Sequence, residues 1–335
     1  MEYEPTFPHR QSAHCESGVV ANLIRQRGIE ISEAMAFGIG RGLFFGYFPF
    51  IRINGLPLVT YRSVAGQIIR QFSRLPGFTL QRQTFRDRDR AMGELDAVLA
   101  AGHPVGLQTG VFWLPYFPRA LRFHFNAHNL VVYGKQGEDY LVSDPVFPAP
   151  VRCAAPDLAR ARFASGALAP RGKMYYFAAT PEHFDCRPHL RSGIRGVCRA
   201  MLGSRFPLIG TRGIRFLAGR LERWPARLGR ERAILHLGHV VRMQEEIGTG
   251  GAGFRFMFAA FLQESAEMLR EQLLQDSSAA LVAAGDLWRD FAAMATRICK
   301  ERTRPGDSYD ELAGLLRSCA DREESVFRTL NRWAG

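Results

Sequence analysis

Cys15 stands in the string His14-Cys15-Glu16-Ser17, immediately ahead of a run that sets Val19, Val20, Leu23 and Ile24 on one helical face. A thiol at a helix start meets the positive end of the macrodipole and free backbone N–H groups, and both favour the nucleophilic thiolate. A free cysteine is also a common small core residue, so the reading turns on what else the chain offers. The segment 119–145, RALRFHFNAHNLVVYGKQGEDYLVSDP, offers a base and an acid. His128 opens an apolar strand, the turn-rich KQGED follows, and Asp144-Pro145 closes the return strand. In an antiparallel hairpin this spacing brings the start of one strand beside the end of the other. His128 is then expected to hold Asp144 through Nδ1–H, the arrangement that orients a general base. Cysteine at a helix start, distant histidine and orienting acid together make the generalised nucleophile triad.

The elements that must position these residues alternate over the first half of the chain. The helix from Cys15 stops at Gly28, and a short one starts after Ser32 as N-cap. Strand-like runs follow at 43–48 and 56–61, then a helix carrying Val64, Ile68, Ile69 and Phe72, and a strand at 78–83. A helix over 92–101 leads to strand 105–109, the hairpin 129–133/140–142, and strand 174–178. After a Pro/His-rich boundary at 181–190 the apolar period becomes helical, over 191–203, 212–223, 229–246, 254–274, 279–300 and 308–332. The expected class is α+β: a catalytic domain over 1–190 and an all-helical domain over 191–335.

The order of a helix-start cysteine, then His128-x-x-Val-Val-Tyr-Gly, then Ser143-Asp144-Pro145 resembles papain-like cysteine peptidases that process bacteriocin leaders. The longer string HCESGVVANLIRQRGIEISEAMAFGIGRGLFFGY at 14–47 is similar to the butirosin biosynthesis protein H family, as is IGTGGAGFRFMFAAFL at 247–262. That resemblance implies a papain-like domain followed by a helical region, acting as an acyltransferase. The acyl group would arrive as a thioester on the phosphopantetheine arm of an acyl carrier protein and leave on an amine or hydroxyl of a small acceptor. Cys15 would be the nucleophile, His128 the base and Asp144 the orienting acid, with no other cofactor. Papain-like enzymes place a glutamine a few residues before the nucleophile; Gln11 stands four before Cys15, and His14 and the Cys15 N–H compete for the oxyanion role. A peptidase, a thioester hydrolase or cyclase, and a non-catalytic binding protein of the same fold are the alternatives.

Arg122 and His124 are candidate substrate contacts; the sequence around His124 and His128 reads as loop and strand without a third ligand, so no metal site is expected. Gly250 and Gly251 approach a helix start and, with Arg255, are further substrate-binding candidates, a tight turn or pocket wall being the other reading of the glycines. The apolar stretches 37–47 and 111–117 read as core strands or as the wall of an acyl channel. Cys153, Cys186, Cys198, Cys299 and Cys319 have no paired base and form no C-x-x-C.

The 335 residues carry a net charge of +12, with 41 Arg against three Lys. The excess is +6 over 1–190 and +6 over 191–335, without a basic tail, a finger spacing or an RNA-binding signature, so no nucleic-acid partner is expected. The longest uncharged apolar run, 42–51, is far short of the ~20 residues of a membrane span. The first ten residues, MEYEPTFPHR, lack an apolar signal core. A cytoplasmic protein with reduced thiols is the expectation.

Overall fold

The computed structural model describes residues 6–53, 55–203 and 206–335; the first five residues of the chain's opening stretch lie outside it. In chain order the elements are α1 (Cys15–Arg25), α2 (Glu33–Ile39), β1 (Leu43–Ile53), β2 (Leu56–Arg62), α3 (Gln67–Phe72), β3 (Thr79–Gln83), α4 (Arg88–Ala100), β4 (Val105–Thr109), β5 (His128–Gln136), β6 (Asp139–Ser143), β7 (Val151–Ala154), α5 (Ala155–Arg162) and β8 (Met174–Ala179). Helices then follow alone: α6 (Arg187–Leu202), α7 (Gly210–Leu221), α8 (Trp224–Leu228), α9 (Arg230–Glu245), α10 (Arg255–Leu269), α11 (Gln272–Cys299) and α12 (Tyr309–Ala334). The α+β class with a helical C-terminal region is therefore as the sequence predicts.

The chain divides into two compact units, and the division is not a single cut. One unit takes the chain up to Ala36 and again over Ile68–Phe184; the other takes Phe37–Gln67 and Asp185–Gly335. The linear division at 190 thus differs for the β1–β2 hairpin. Its inward residues Phe45, Tyr47, Val59 and Tyr61 are buried, and Phe45 and Tyr61 lie against Trp288 of α11 with ring centroids 6.0 and 5.5 Å away. The stretch 37–47 is core, with Phe37 and Phe45 fully buried, not a channel wall.

The first unit is built on an antiparallel sheet in the order β3-β8-β4-β5-β6-β7. β5 lies in its interior, with Leu130 and Val132 in a core that also takes Leu95, Leu107, Val142 and Leu158. β4 and β5 pair in register from Val105 with Val132 to Thr109 with His128, so the sheet ladder itself fixes the start of β5. All eleven residues of α1 are buried, which makes it a central helix. The second unit packs the hairpin with α6–α12, and the long α11 and α12 bury Trp288, Phe291, Leu316 and Phe327. Where one helix over 254–274 is expected, Arg270 takes a left-handed φ of 55° and ends α10 before α11 begins. Among the described residues no helix is long and apolar enough to cross a membrane.

Candidate active site

The approach to Cys15 is held by carboxylates. Glu33, at the start of α2, accepts the N–H of Ala13 at 2.9 Å and of His14 at 2.7 Å, and the Ser17 hydroxyl at 3.2 Å. Burial raises the Glu33 pKa, opposed by those same hydrogen bonds. His14 is the N-cap of α1: its Nδ1 accepts the N–H of Ser17. Glu16, 1% exposed, turns the other way and accepts the N–H of Ile68 at 2.9 Å and of Ile69 at 3.4 Å, at the start of α3. Cys15 therefore opens a helix whose first turn is tied down on both sides.

Close approach on the far face is set by Gly18. A Cβ there would lie 2.6 Å from Ser12 Cβ and 2.7 Å from Pro145 Cβ, so only glycine lets α1 sit against the turn after β6. The Ser12 N–H donates to the Pro145 carbonyl at 2.6 Å across the same contact. Helix start and Asp144 turn are in this way bolted together.

His128 opens β5, and its Nε2 donates to Asp144 Oδ2 at 2.7 Å. Asp144 is fully buried and also accepts the Tyr116 hydroxyl at 2.9 Å and the Val146 N–H at 3.2 Å. The expected pair is present, but through Nε2 instead of Nδ1. The remaining nitrogen, Nδ1, is the one left for Cys15, whose side chain is in hydrogen-bonding contact with His128. Burial alone would lower the His128 pKa; the Asp144 charge and hydrogen bond, joined by those of Cys15, overcome it and push the imidazole up to about 10. The Phe117 ring stands edge-on to His128 at 5.4 Å, and burial beside the Asp144 charge keeps the Tyr116 phenol protonated as a donor.

Three supporting residues escaped the sequence reading. Asn129 Nδ2 lies 3.9 Å from Cys15 Sγ and donates to the Ala127 carbonyl at 3.1 Å, while the Tyr175 hydroxyl of β8 donates to its Oδ1 at 2.8 Å. Tyr116 is the third. The adjacency of Asn129 to His128 is a signal in the sequence; the links of Tyr116 and Tyr175 come from the tertiary fold alone.

Other sequence candidates stand elsewhere. Gln11 is exposed and donates to the Val146 carbonyl at 3.2 Å, so its amide is committed to the loop after Asp144. The His14 Nδ1 is spent as a cap acceptor, which removes it as an oxyanion donor through that nitrogen. Arg122 donates Nε to the Phe117 carbonyl at 2.7 Å and a terminal nitrogen to the Pro115 carbonyl, and so shapes the loop that carries Tyr116. His124 is exposed and stacks on Phe112 at 4.2 Å. The stretch 111–117 is a turn and loop, not a strand, with Val111, Leu114 and Phe117 inward and Phe112 and Trp113 outward.

Gly250, Gly251 and Arg255 belong to the other unit. The glycines take φ values of 67° and 88° in the turn ahead of α10. Arg255 is fully buried in a fork with Glu323 at 2.8 and 2.9 Å and also donates to the Gly253 carbonyl, so it stands as an interior charge closed off from solvent. None of the six cysteines forms a disulfide, and burial raises the thiols other than Cys15, to about 12 at Cys153 and Cys198 and about 11 at Cys186. Cys15 alone among them has a histidine partner.

A central helix opening on cysteine, an antiparallel sheet opening a strand on histidine, and a carboxylate on the following turn define the papain-like cysteine fold. The chain belongs to the family described as Domain of unknown function (DUF4872), which matches residues 156–330, and its N-terminal part, residues 14–145, matches Butirosin biosynthesis protein H, N-terminal. No curated protein matches the chain. Among solved structures, a C39-like peptidase from Bacillus anthracis is similar at 17% identity and a TM-score of 0.37, covering 52% of this chain and 96% of that one.

Proposed function

We propose that the protein is a cysteine-dependent acyltransferase that takes an acyl group from a carrier-protein thioester, holds it on Cys15, and passes it to an amine or hydroxyl of a small metabolite. The observation that carries this reading is the contact of Cys15 with a histidine that Asp144 holds in its protonated form at neutral pH. The match to a family named for a biosynthesis protein favours a synthetic reaction over proteolysis.

The proton inventory closes over both half-reactions. The Cys15 thiolate attacks the thioester carbonyl, the tetrahedral oxyanion collapses, and the departing sulfur of the phosphopantetheine arm takes the proton of the His128 imidazolium. Thioester exchange of this kind is nearly isoenergetic. His128 is now neutral and accepts a proton from the attacking amine, whose nitrogen forms the new C–N bond as the Cys15 thiolate leaves. Amide formation from a thioester is downhill, so the protein must activate one thiol, stabilise an oxyanion and keep water from the acyl-cysteine. The N–H of Cys15 and the Asn129 amide are the donors assigned to the oxyanion.

Intact mass after incubation with an acylated carrier protein tests the assignment. An acyl adduct is expected on the wild type and none on Cys15→Ala; an adduct that persists in the variant sinks the nucleophile. Adduct decay that is no faster with amines than in buffer alone makes the protein a hydrolase, and peptide cleavage without loading from thioesters makes it a peptidase.

A further inference from the structure

The second unit holds a concentration of charge that the Cys15 chemistry does not use. A cavity of about 90 Å³ opens where the β1–β2 hairpin meets α7, α8 and α9. Its wall takes Arg52 from β1, Arg220 from the last turn of α7, and Arg227 from α8, together with Tyr47, Trp224 and His236. Arg52 and Arg227 are exposed and Arg220 is half-buried, so the wall concentrates positive charge at an opening that an anion can reach. Among the described residues none of the three is paired with a carboxylate; Arg52 donates to the Gly55 carbonyl at 3.1 Å, and Glu222, next to this wall in sequence, pairs instead with Arg317 at 2.6 Å.

A second observation points the same way. His236, in the lining of the cavity, is 9% exposed, and its Nδ1 is buried without a hydrogen-bond partner, an unmet polar group beside the arginines. Burial, with Arg52 and Arg232 nearby, lowers its pKa, so the imidazole is neutral and has one N–H to offer. The Trp224 ring stands edge-on to it at 5.5 Å.

We infer that this cavity is a binding site for a phosphomonoester whose ester group is apolar or aromatic. A planar carboxylate fills one guanidinium fork with two oxygens, whereas three guanidiniums arriving from three different elements, plus an imidazole, suit the three oxygens and double charge of a tetrahedral phosphate. A volume worth a few water molecules accommodates that one group and leaves the rest of the ligand outside it. Pro49 and Leu228, the half-buried apolar residues of the lining, offer the substituent its apolar surface. The site is independent of the acyl-transfer reading, since every residue it uses lies in the second unit.

Titration calorimetry on the full chain, in phosphate-free low-salt buffer, uses phenyl phosphate, inorganic phosphate and benzoate as probes. Phenyl phosphate is expected to bind one site, and Arg220→Ala and Arg227→Ala each to weaken it by about tenfold or more. Arg227 is exposed, so its variant keeps the fold and carries the test if Arg220→Ala does not fold. Arg328→Ala, in a separate arginine-lined groove, and Cys15→Ala are expected to leave binding unchanged. Absence of saturable binding, loss in Arg328→Ala or Cys15→Ala with retention in Arg227→Ala, or benzoate binding as tightly as phenyl phosphate overturns the site. Inorganic phosphate binding as tightly as phenyl phosphate overturns the apolar ester group.

Discussion

At His128, the choice of ring nitrogen decides the chemistry. With Nε2 bound to Asp144, Nδ1 is the nitrogen left for Cys15, and the Asp144 charge favours the imidazolium. A histidine raised in the folded state stabilises the fold at low pH; the contribution is full below the ordinary value of about 6.5 and vanishes as pH rises through about 10. The difference in unfolding free energy between wild type and His128→Gln, followed by urea denaturation, is therefore expected to be largest near pH 6 and to shrink toward pH 10.5; a difference that grows with pH contradicts the pairing. The residue types and order of Cys15, His128 and Asp144 were legible in the chain because hairpin geometry ties spacing to adjacency. The nitrogen was not, since ring orientation depends on Phe117 and Tyr116, which arrive from a loop.

Elements carry the precision of the site. Helix α1 presses on the Asp144 turn through Gly18, and a single added methyl meets Ser12 and Pro145 at well under contact distance. Gly18→Ala is expected to displace Cys15 from His128 and lower acyl loading by about 100-fold, the loss typical of a misplacement near 1 Å, with a smaller loss of stability. Loading unchanged in Gly18→Ala would show that the contact does not position the thiol. A second anchor ties the turn before α10 to α11 and α12: Glu323 takes the Arg255 fork and the Trp288 indole N–H at 2.6 Å, all fully buried. Glu323→Gln keeps the shape but strands the Arg255 charge, so a loss of about 3–5 kcal/mol in unfolding free energy is expected, and Arg255→Met with Glu323→Leu should recover most of it. Most element positions were readable from apolar period; β4 and the β5–β6 hairpin lie where the pattern sets them. β7, α5 and α8 were missed: β7 is four residues long, and α5 and α8 open on Pro156 and Pro225, which read as breaks in the sequence although proline suits a helix's first turn. The buried Arg255 carried a surface residue's signature, and nothing local announces its partner 68 positions away.

At the scale of the whole molecule, the even +12 charge gives the proposed carrier-protein donor a reason to associate quickly, since carrier proteins are acidic. Affinity for the carrier is expected to fall as salt rises from about 50 to 200 mM; affinity indifferent to salt removes charge as the basis of docking. The chain's path between its two units has a consequence for synthesis. It leaves the first unit after Ala36 and returns at Ile68, where Glu16 caps α3. The hairpin made during that excursion buries Phe45, Tyr47, Val59 and Tyr61 only against helices that the ribosome delivers after Asp185. A lone two-stranded hairpin is marginal in water, so this segment is expected to take its final form only after the chain beyond Asp185 has been made, later than its place in the sequence suggests.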